Sequence, residues 1–326
     1  MVWNSEDWSL EIEMKKNKVI VVGSYNVDMT ITTDVFPRAG ETVIGSNLIY
    51  GHGGKGANQA VAAARSGAQT TLLAKVGADQ YGERAISALN AEGINTHYIQ
   101  QTQGTPTGMA SITVNAQGEN SIVVISGANW KLSAADILEN SKIFQDADIL
   151  LTQLETPMES VEAAINIASS NGVTVILNPA PVQTLPPELY KDITIMTPNR
   201  GEAEMLTGIK ITDSNSLARA ADALHSYGIE SVLITLGSEG VFISSPGKQK
   251  MIASIDVEAI DTVGAGDVFS GVLAANYTGQ ETLEDVVALA ITAAGLSVTQ
   301  RGAQTAIPCQ KEVNAYLQNQ ILVENH

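Results

Sequence analysis

The chain of 326 residues contains one cysteine, Cys309. It cannot close an internal disulfide, and it excludes zinc or iron–sulfur centres built from several thiolates of the chain. A lone thiol fits a reducing, cytoplasmic compartment. Histidine is also scarce. His52, His97, His225 and His326 form no H-E-x-x-H or similar pair, which argues against histidine-based metal hydrolysis. Positive charge is the third deficit, with 18 Lys and Arg against 35 Asp and Glu and a net charge of −17. Such a field repels a phosphate backbone and an anionic membrane, so neither is an expected partner. No apolar run reaches the roughly 18–20 residues of a membrane span. The longest candidate, residues 286–298, is interrupted by Thr292 and Ser297. Residues 1–18 lack the apolar core of a signal peptide and read as a leader of no assigned role.

What is present is a large apolar fraction, 44%, enough for a sizeable core. The length fits one α/β unit with a small appendage. Val19-Ile20-Val21-Val22 is a short continuous apolar run, as in a strand buried on both faces. A pattern then recurs in which a helical stretch stops at a glycine, an apolar residue follows, and a β-branched strand comes next. It occurs at Gly67, Gly93, Gly172 and Gly228. The alternation predicts a doubly wound, mainly parallel sheet flanked by helices over residues 19–326. Two segments break the rhythm, at about residues 29–50 and 107–126. Both carry strands of antiparallel type without an intervening helix, including Thr42-Val43-Ile44 and a hairpin around Asn115-Ala116-Gln117-Gly118. They predict a small β-sheet serving as a lid or an oligomer surface.

Gly51-His52-Gly53-Gly54-Lys55-Gly56 satisfies G-x-G-x-x-G between a strand-like stretch and a helix. Alone it is a weak dinucleotide signal, and no acid ends the following strand, where Ala74-Lys75-Val76 stands. Lys55, Asn58 and Gln59 beside it favour a ligand-facing turn. Asp261-Thr262-Val263-Gly264-Ala265-Gly266-Asp267 is the sharper signal. Small residues precede a helix expected to begin near Asp267, and the amides of a helix start converge on an anion. The helix end also favours ionised Asp267. The plain alternative is that Asp267 caps the helix. Asn26 and Asp28 follow the first strand, where ligands of an open parallel sheet bind, although turn formation accounts for them equally. Gln153-Leu154-Glu155, Asn178-Pro179-Ala180-Pro181, Asn199-Arg200-Gly201-Glu202 and Thr235-Leu236-Gly237-Ser238-Glu239-Gly240 each follow a strand, and together they outline one rim.

These residues resemble the ribokinase, or phosphofructokinase-B, family of carbohydrate kinases over nearly the whole chain after Lys18. Gly53-Gly54-Lys55-Gly56-Ala57-Asn58 resembles the family's first signature. Asp261 to Asp267 resembles its second, D-T-x-G-A-G-D, and Asn199-x-x-Glu202 its N-x-x-E element. The resemblance implies ATP-dependent phosphorylation of the 5-hydroxyl of D-ribose, with deoxyribose, a ketohexose or a nucleoside as alternative acceptors. It implies that Asp267 is the base and that Gly264, Ala265 and Gly266 form the anion hole. Asn26, Asp28, Gly54, Lys55, Gly56, Ala57, Asn58, Glu155 and Asp267 would hold the sugar. Asn199, Thr235, Leu236, Gly237, Ser238, Glu239, Gly240, Gly266 and Asp267 would contact the nucleotide. Glu202 would help hold Mg²⁺ through water. Asp261, Val263, Ser297, Gln300, Gly302 and Ala306 would hold K⁺, mostly through main-chain carbonyls. The lid sheet would join two subunits into a homodimer. His52 stands where the family has an apolar or aromatic residue, and it is expected under the lid.

Overall fold

The computed structural model describes residues 16–324, so most of the leader expected over residues 1–18 lies outside the described residues. Thirteen strands are described. In chain order they are β1 (Lys18–Val22), β2 (Asn26–Thr33), β3 (Gly45–Gly53), β4 (Gln69–Gly77), β5 (Ile99–Thr102), β6 (Gly108–Val114), β7 (Asn120–Ile125), β8 (Ile149–Thr152), β9 (Thr174–Leu177), β10 (Ile195–Met196), β11 (Ser231–Thr235), β12 (Val241–Ser245) and β13 (Lys248–Ile252). The α-helices are α1 (Lys55–Arg65), α2 (Gln80–Ala91), α3 (Ala134–Glu139), α4 (Met158–Ser170), α5 (Arg200–Thr207), α6 (Ser214–Ser226), α7 (Ala265–Asn276), α8 (Leu283–Ser297) and α9 (Gln310–Glu324).

The main sheet has nine strands in the order β13-β12-β11-β10-β9-β8-β1-β4-β5. Pairing is parallel from β5 to β11 and antiparallel at β11–β12 and β12–β13. The period-2 geometry of a strand explains the continuous apolar runs. Val19 and Val21 of β1 join a core with α1, α7 and α8, while Ile20 and Val22 join a second core with α4 and α6 on the other face. Each such side chain, fully buried, contributes about 1.5–3 kcal/mol. The glycines at 67, 93, 172 and 228 all have positive φ, as expected of residues that end helices.

The second sheet has four strands in the order β3-β2-β6-β7. Three details differ from the sequence expectation. The two segments are antiparallel within themselves, but β2 pairs with β6 in parallel, because the chain crosses the main sheet before returning. Thr42-Val43-Ile44 is not strand, and β3 begins at Gly45. Asn26 and Asp28 do not lie in a turn; they open β2. His52 lies half-buried on β3, where its Nδ1 is 2.6 Å from the hydroxyl of Tyr25. No helix among the described residues is long and apolar enough to cross a membrane.

Candidate active site

The glycine turn comes first, because it sets the distances of everything else. Gly54, with φ +88°, is the N-cap of α1. A Cβ there would lie 2.7 Å from the amide nitrogen of Asn26, and one on Gly56 would lie 2.5 Å from that of Ser24. Only glycine lets these backbones touch. The contact is closed by Ala57 N–H donating to the carbonyl of Ser24 at 2.8 Å. The start of α1 is thereby pressed onto the β1–β2 connection. Gly51 and Gly53 belong to β3 of the small sheet, so the motif does not join a parallel strand to its helix. That placement removes the dinucleotide reading.

Three acids converge beside this turn. Glu155, just beyond β8, accepts from the Lys55 backbone amide at 3.0 Å and from the Ser24 hydroxyl at 2.5 Å. Asp28 packs under Gly53, where a Cβ would fall 2.3 Å from its Oδ2. Burial raises its pKa from 3.8 to about 6, and the negative charges of Glu155 and Asp267 add to the rise. Asn26 is buried, and its Oδ1 accepts from Nδ2 of Asn129 at 2.9 Å.

Asp267 is the third acid. Helix α7 begins at Ala265, two residues earlier than expected, with Gly264 at its N-cap in the left-handed region. Asp267 makes no capping bond, which disposes of the plain-cap alternative. Its Oδ2 accepts from Asn58 and its Oδ1 from Gln59, both at 3.0 Å. Only 5% of the residue is exposed. Burial raises its pKa, outweighing the helix end, while Lys55, Asn58 and Gln59 oppose the rise. The pKa of Lys55 is raised in turn, first by Asp267 and then by Glu155 and Glu202. This cation therefore stays charged inside a cluster of acids.

A cleft of about 160 Å³ opens on this cluster. It is lined by Gly264, Ala265, Gly266 and Asp267, by Lys55, and by Asn199, Glu202 and Thr235. The Asn199-x-x-Glu202 element is a capping box. Asn199 Oδ1 accepts from the Glu202 amide at 2.9 Å, and Glu202 accepts from the Asn199 amide at 2.8 Å. Burial raises the pKa of Glu202. Residues 236–240 are not brought into the cleft. Leu236 belongs to the second core, Gly240 backs onto the carbonyl of Ile252, and Glu239 pairs with Arg200. Of the residues expected to hold K⁺, Asp261 accepts from the amides of Val263 (3.1 Å) and Gly302 (2.9 Å), and Gln300 N–H reaches the carbonyl of Ser297 (3.2 Å). Ala306 is buried nearby in sequence. Among the described residues no three His, Cys, Asp or Glu form a metal cluster. Mg²⁺ in such a site would rest on one or two carboxylates, phosphate oxygens and water, and half-buried Glu202 suits that arrangement.

Two residues here were missed as site residues. Gln59 stands inside an Ala-rich helix; it reads as a polar neighbour of the glycine turn, with no site role assigned. Asn129 binds both the amide and the carbonyl of Tyr25 (2.9 and 3.0 Å). It lies 104 positions from Tyr25 in the Gly127-Ala128-Asn129 segment, whose resemblance to the family carried no role for it.

The sequence profile of the pfkB family carbohydrate kinases matches residues 16–310. A ribokinase of Haemophilus influenzae is 43% identical over 304 residues, covering 93% of this chain and 99% of its own. A deoxyribokinase of Salmonella typhi is 35% identical, covering 92% and 98%. The structure of an Arabidopsis thaliana ribokinase complexed with ribose and ATP superposes with a TM-score of 0.86 at 31% identity, covering 92% of this chain and 98% of that one. The glycine turn, the helix start at Gly264-Ala265-Gly266 and the buried carboxylate of Asp267 are thus found in a chain that belongs to the pfkB family of carbohydrate kinases.

Proposed function

We infer that the chain is an ATP-dependent kinase that phosphorylates the 5-hydroxyl of D-ribose, giving D-ribose 5-phosphate and ADP. One observation carries the mechanism: a buried carboxylate, Asp267, stands at the start of α7 beside the Gly264-Ala265-Gly266 amides and opens on the cleft. Phosphoryl transfer is catalysed mainly by positioning and by stabilising charge. In this reading Asp267 accepts the proton of the attacking hydroxyl, and its raised pKa suits a late proton acceptor. The amides of residues 264–266 face the charge that develops on the transferred group. Lys55, held charged by three acids, adds a cation to the lining of the same cleft.

The sugar side consists of Asn26, Asp28, Gly54 to Asn58 and Glu155. Asp28 as a carboxylate accepts from two neighbouring hydroxyls. The nucleotide side consists of Asn199 and Thr235 with residues 236–240, of which the latter act through backbone on the rim. Mg²⁺ bound near Glu202 would offset phosphate charge. K⁺ would be held by Asp261 and the carbonyls of residues 263, 297, 300, 302 and 306, a donor set of oxygens that suits a hard monovalent cation.

The second sheet, which itself carries Asp28, would close over the reacting centre and limit water there. Its register places Asp28, Ala110 and Val124 in one row and Ile49, Thr30, Ile112 and Ile122 in the next on the same face. Ile49, Ile122 and Val124 are each about half exposed. That apolar face supports a homodimer formed through the lid, in a cytoplasmic enzyme with residues 19–326 as one domain. The resemblance to deoxyribokinases keeps 2-deoxyribose as the competing acceptor. Asp267→Asn tests the mechanism. Turnover is expected to fall by about 10²–10⁴-fold with ribose affinity nearly unchanged. Unchanged turnover would overturn the role of Asp267.

A further inference from the structure

We propose that Gln59 is a positioning residue for the base: its side-chain amide, clamped by Gln153 and Asn178, holds the carboxylate of Asp267 in the orientation that receives the sugar proton. The proposal rests on the reading of Asp267 as base.

The geometry is over-determined. Gln59 is fully buried. Its Nε2 donates to Asp267 Oδ1 at 3.0 Å and to Asn178 Oδ1 at 3.2 Å. Its Oε1 accepts from Nε2 of Gln153 at 2.5 Å. A flipped amide would place oxygen against two oxygens, so only one orientation satisfies all three partners. The Asn178 clamp is itself anchored. Gln153 follows β8, and Asn178 follows β9 and donates to the carbonyl of Thr197 at 3.0 Å. The Thr197 hydroxyl in turn lies 3.1 Å from that of Ser270 on α7. A buried polar strut therefore runs from the carboxyl ends of β8, β9 and β10 to the helix that carries the base. Helix α1 packs directly on α7 as well, since a Cβ on Gly271 would lie 2.5 Å from the carbonyl of Gln59.

The strut explains a feature the sugar site leaves unused. Asn58 already donates to Asp267 Oδ2 from the same helix. Two consecutive amides thus each hold one carboxylate oxygen and stop rotation of the group about its Cβ–Cγ bond. Asn58 faces the sugar site, whereas Gln59 is locked to the sheet. Charge around the carboxylate comes from Lys55 on α1, Asp28 on β2, Glu155 beyond β8 and Glu202 on α5. Gln59 is the neutral donor that offsets the acids without adding charge.

Two variants test the proposal. Gln59→Met removes the amide. Gln59→Glu keeps its length and covers the case in which the first variant fails to fold. Gln59→Met is expected to lower kcat about 10- to 100-fold while the KM for ribose stays within about threefold. Gln59→Glu sets a second carboxyl against Asp267, so the acid limb of the kcat–pH profile is expected to move up by about one pH unit or more. In an Asp267→Asn background either variant is expected to cost almost nothing further in kcat, whereas a purely structural role would cost the same in both backgrounds. Folded variants with wild-type kcat and an unshifted pH profile would overturn the proposal, as would equal losses in the two backgrounds. If Asp267→Asn alone retains turnover, the reading of the base fails instead, and the two failures are told apart.

Discussion

Replacing Asp28 by Asn is expected to stabilise the unliganded protein while destroying its use of ribose. The pKa of this carboxyl rises from 3.8 to about 6, first because it is buried and then because Glu155 and Asp267 repel its charge. One unit corresponds to about 1.4 kcal/mol, so carrying the charge costs the folded state about 3 kcal/mol at pH 8. The native state binds this proton more tightly than the unfolded chain, so the cost grows as pH rises from 3.8 to 6 and is complete above 6. Asparagine has nearly the same shape and no charge. Relative to wild type, the variant is therefore expected to gain about 2–3 kcal/mol at pH 8, shrinking to about 1.5 kcal/mol at pH 5. Ribose would lose a charged acceptor of two hydrogen bonds, each worth about 1.5–3 kcal/mol, so kcat/KM should fall by at least about 100-fold. Urea unfolding without ligand at the two pH values measures the first effect, and a ribose titration the second. A variant no more stable than wild type at pH 8, or a gap that fails to narrow towards pH 5, would refute the assignment of Asp28 as a strained functional acid.

Other outcomes follow from the same geometry. Gly54→Ala forces a Cβ to 2.7 Å from the Asn26 amide at a φ of +88°, so ribose affinity should drop at least tenfold with a lower melting temperature; an unchanged KM would contradict the close-packed turn. A double change of Ile122 and Val124 to Glu, on the same face of the lid as Asp28, should convert a dimer to monomer in sedimentation, and a dimer that survives would remove the lid from the interface.

Much of the fold follows from local pattern. Val19 to Val22 and Ile149 to Leu151 are so uniformly apolar that only strands buried on both faces accommodate them. The glycines that end helices mark where each crossover returns. Pairing between distant segments was not readable in this way. The parallel contact of β2 with β6 depends on where the chain re-enters the small sheet after crossing β4 and β5, and neither strand's composition encodes that. The site divides along the same line. Asp267 and the glycines around it stand in a contiguous motif, because an anion hole needs consecutive amides. Glu155 and Asn129 reach the site through folding alone, from 131 and 104 positions away from the residues they hold. The N-x-x-E element was readable as a motif, but its structural role as a capping box became visible only with α5 in place. The deficit of positive charge also takes a different meaning. In the proposed function a polyanionic nucleotide would be held by helix-start amides and one half-buried lysine, Lys55, with no need for a basic surface.

The central claim is acceptor identity, and an ADP-release assay with ATP, Mg²⁺ and a panel of acceptors tests it most directly. Ribose is expected to exceed 2-deoxyribose, fructose and adenosine by at least tenfold in kcat/KM, with K⁺ buffers faster than Na⁺ buffers. Comparable or greater rates with 2-deoxyribose or adenosine would contradict the account.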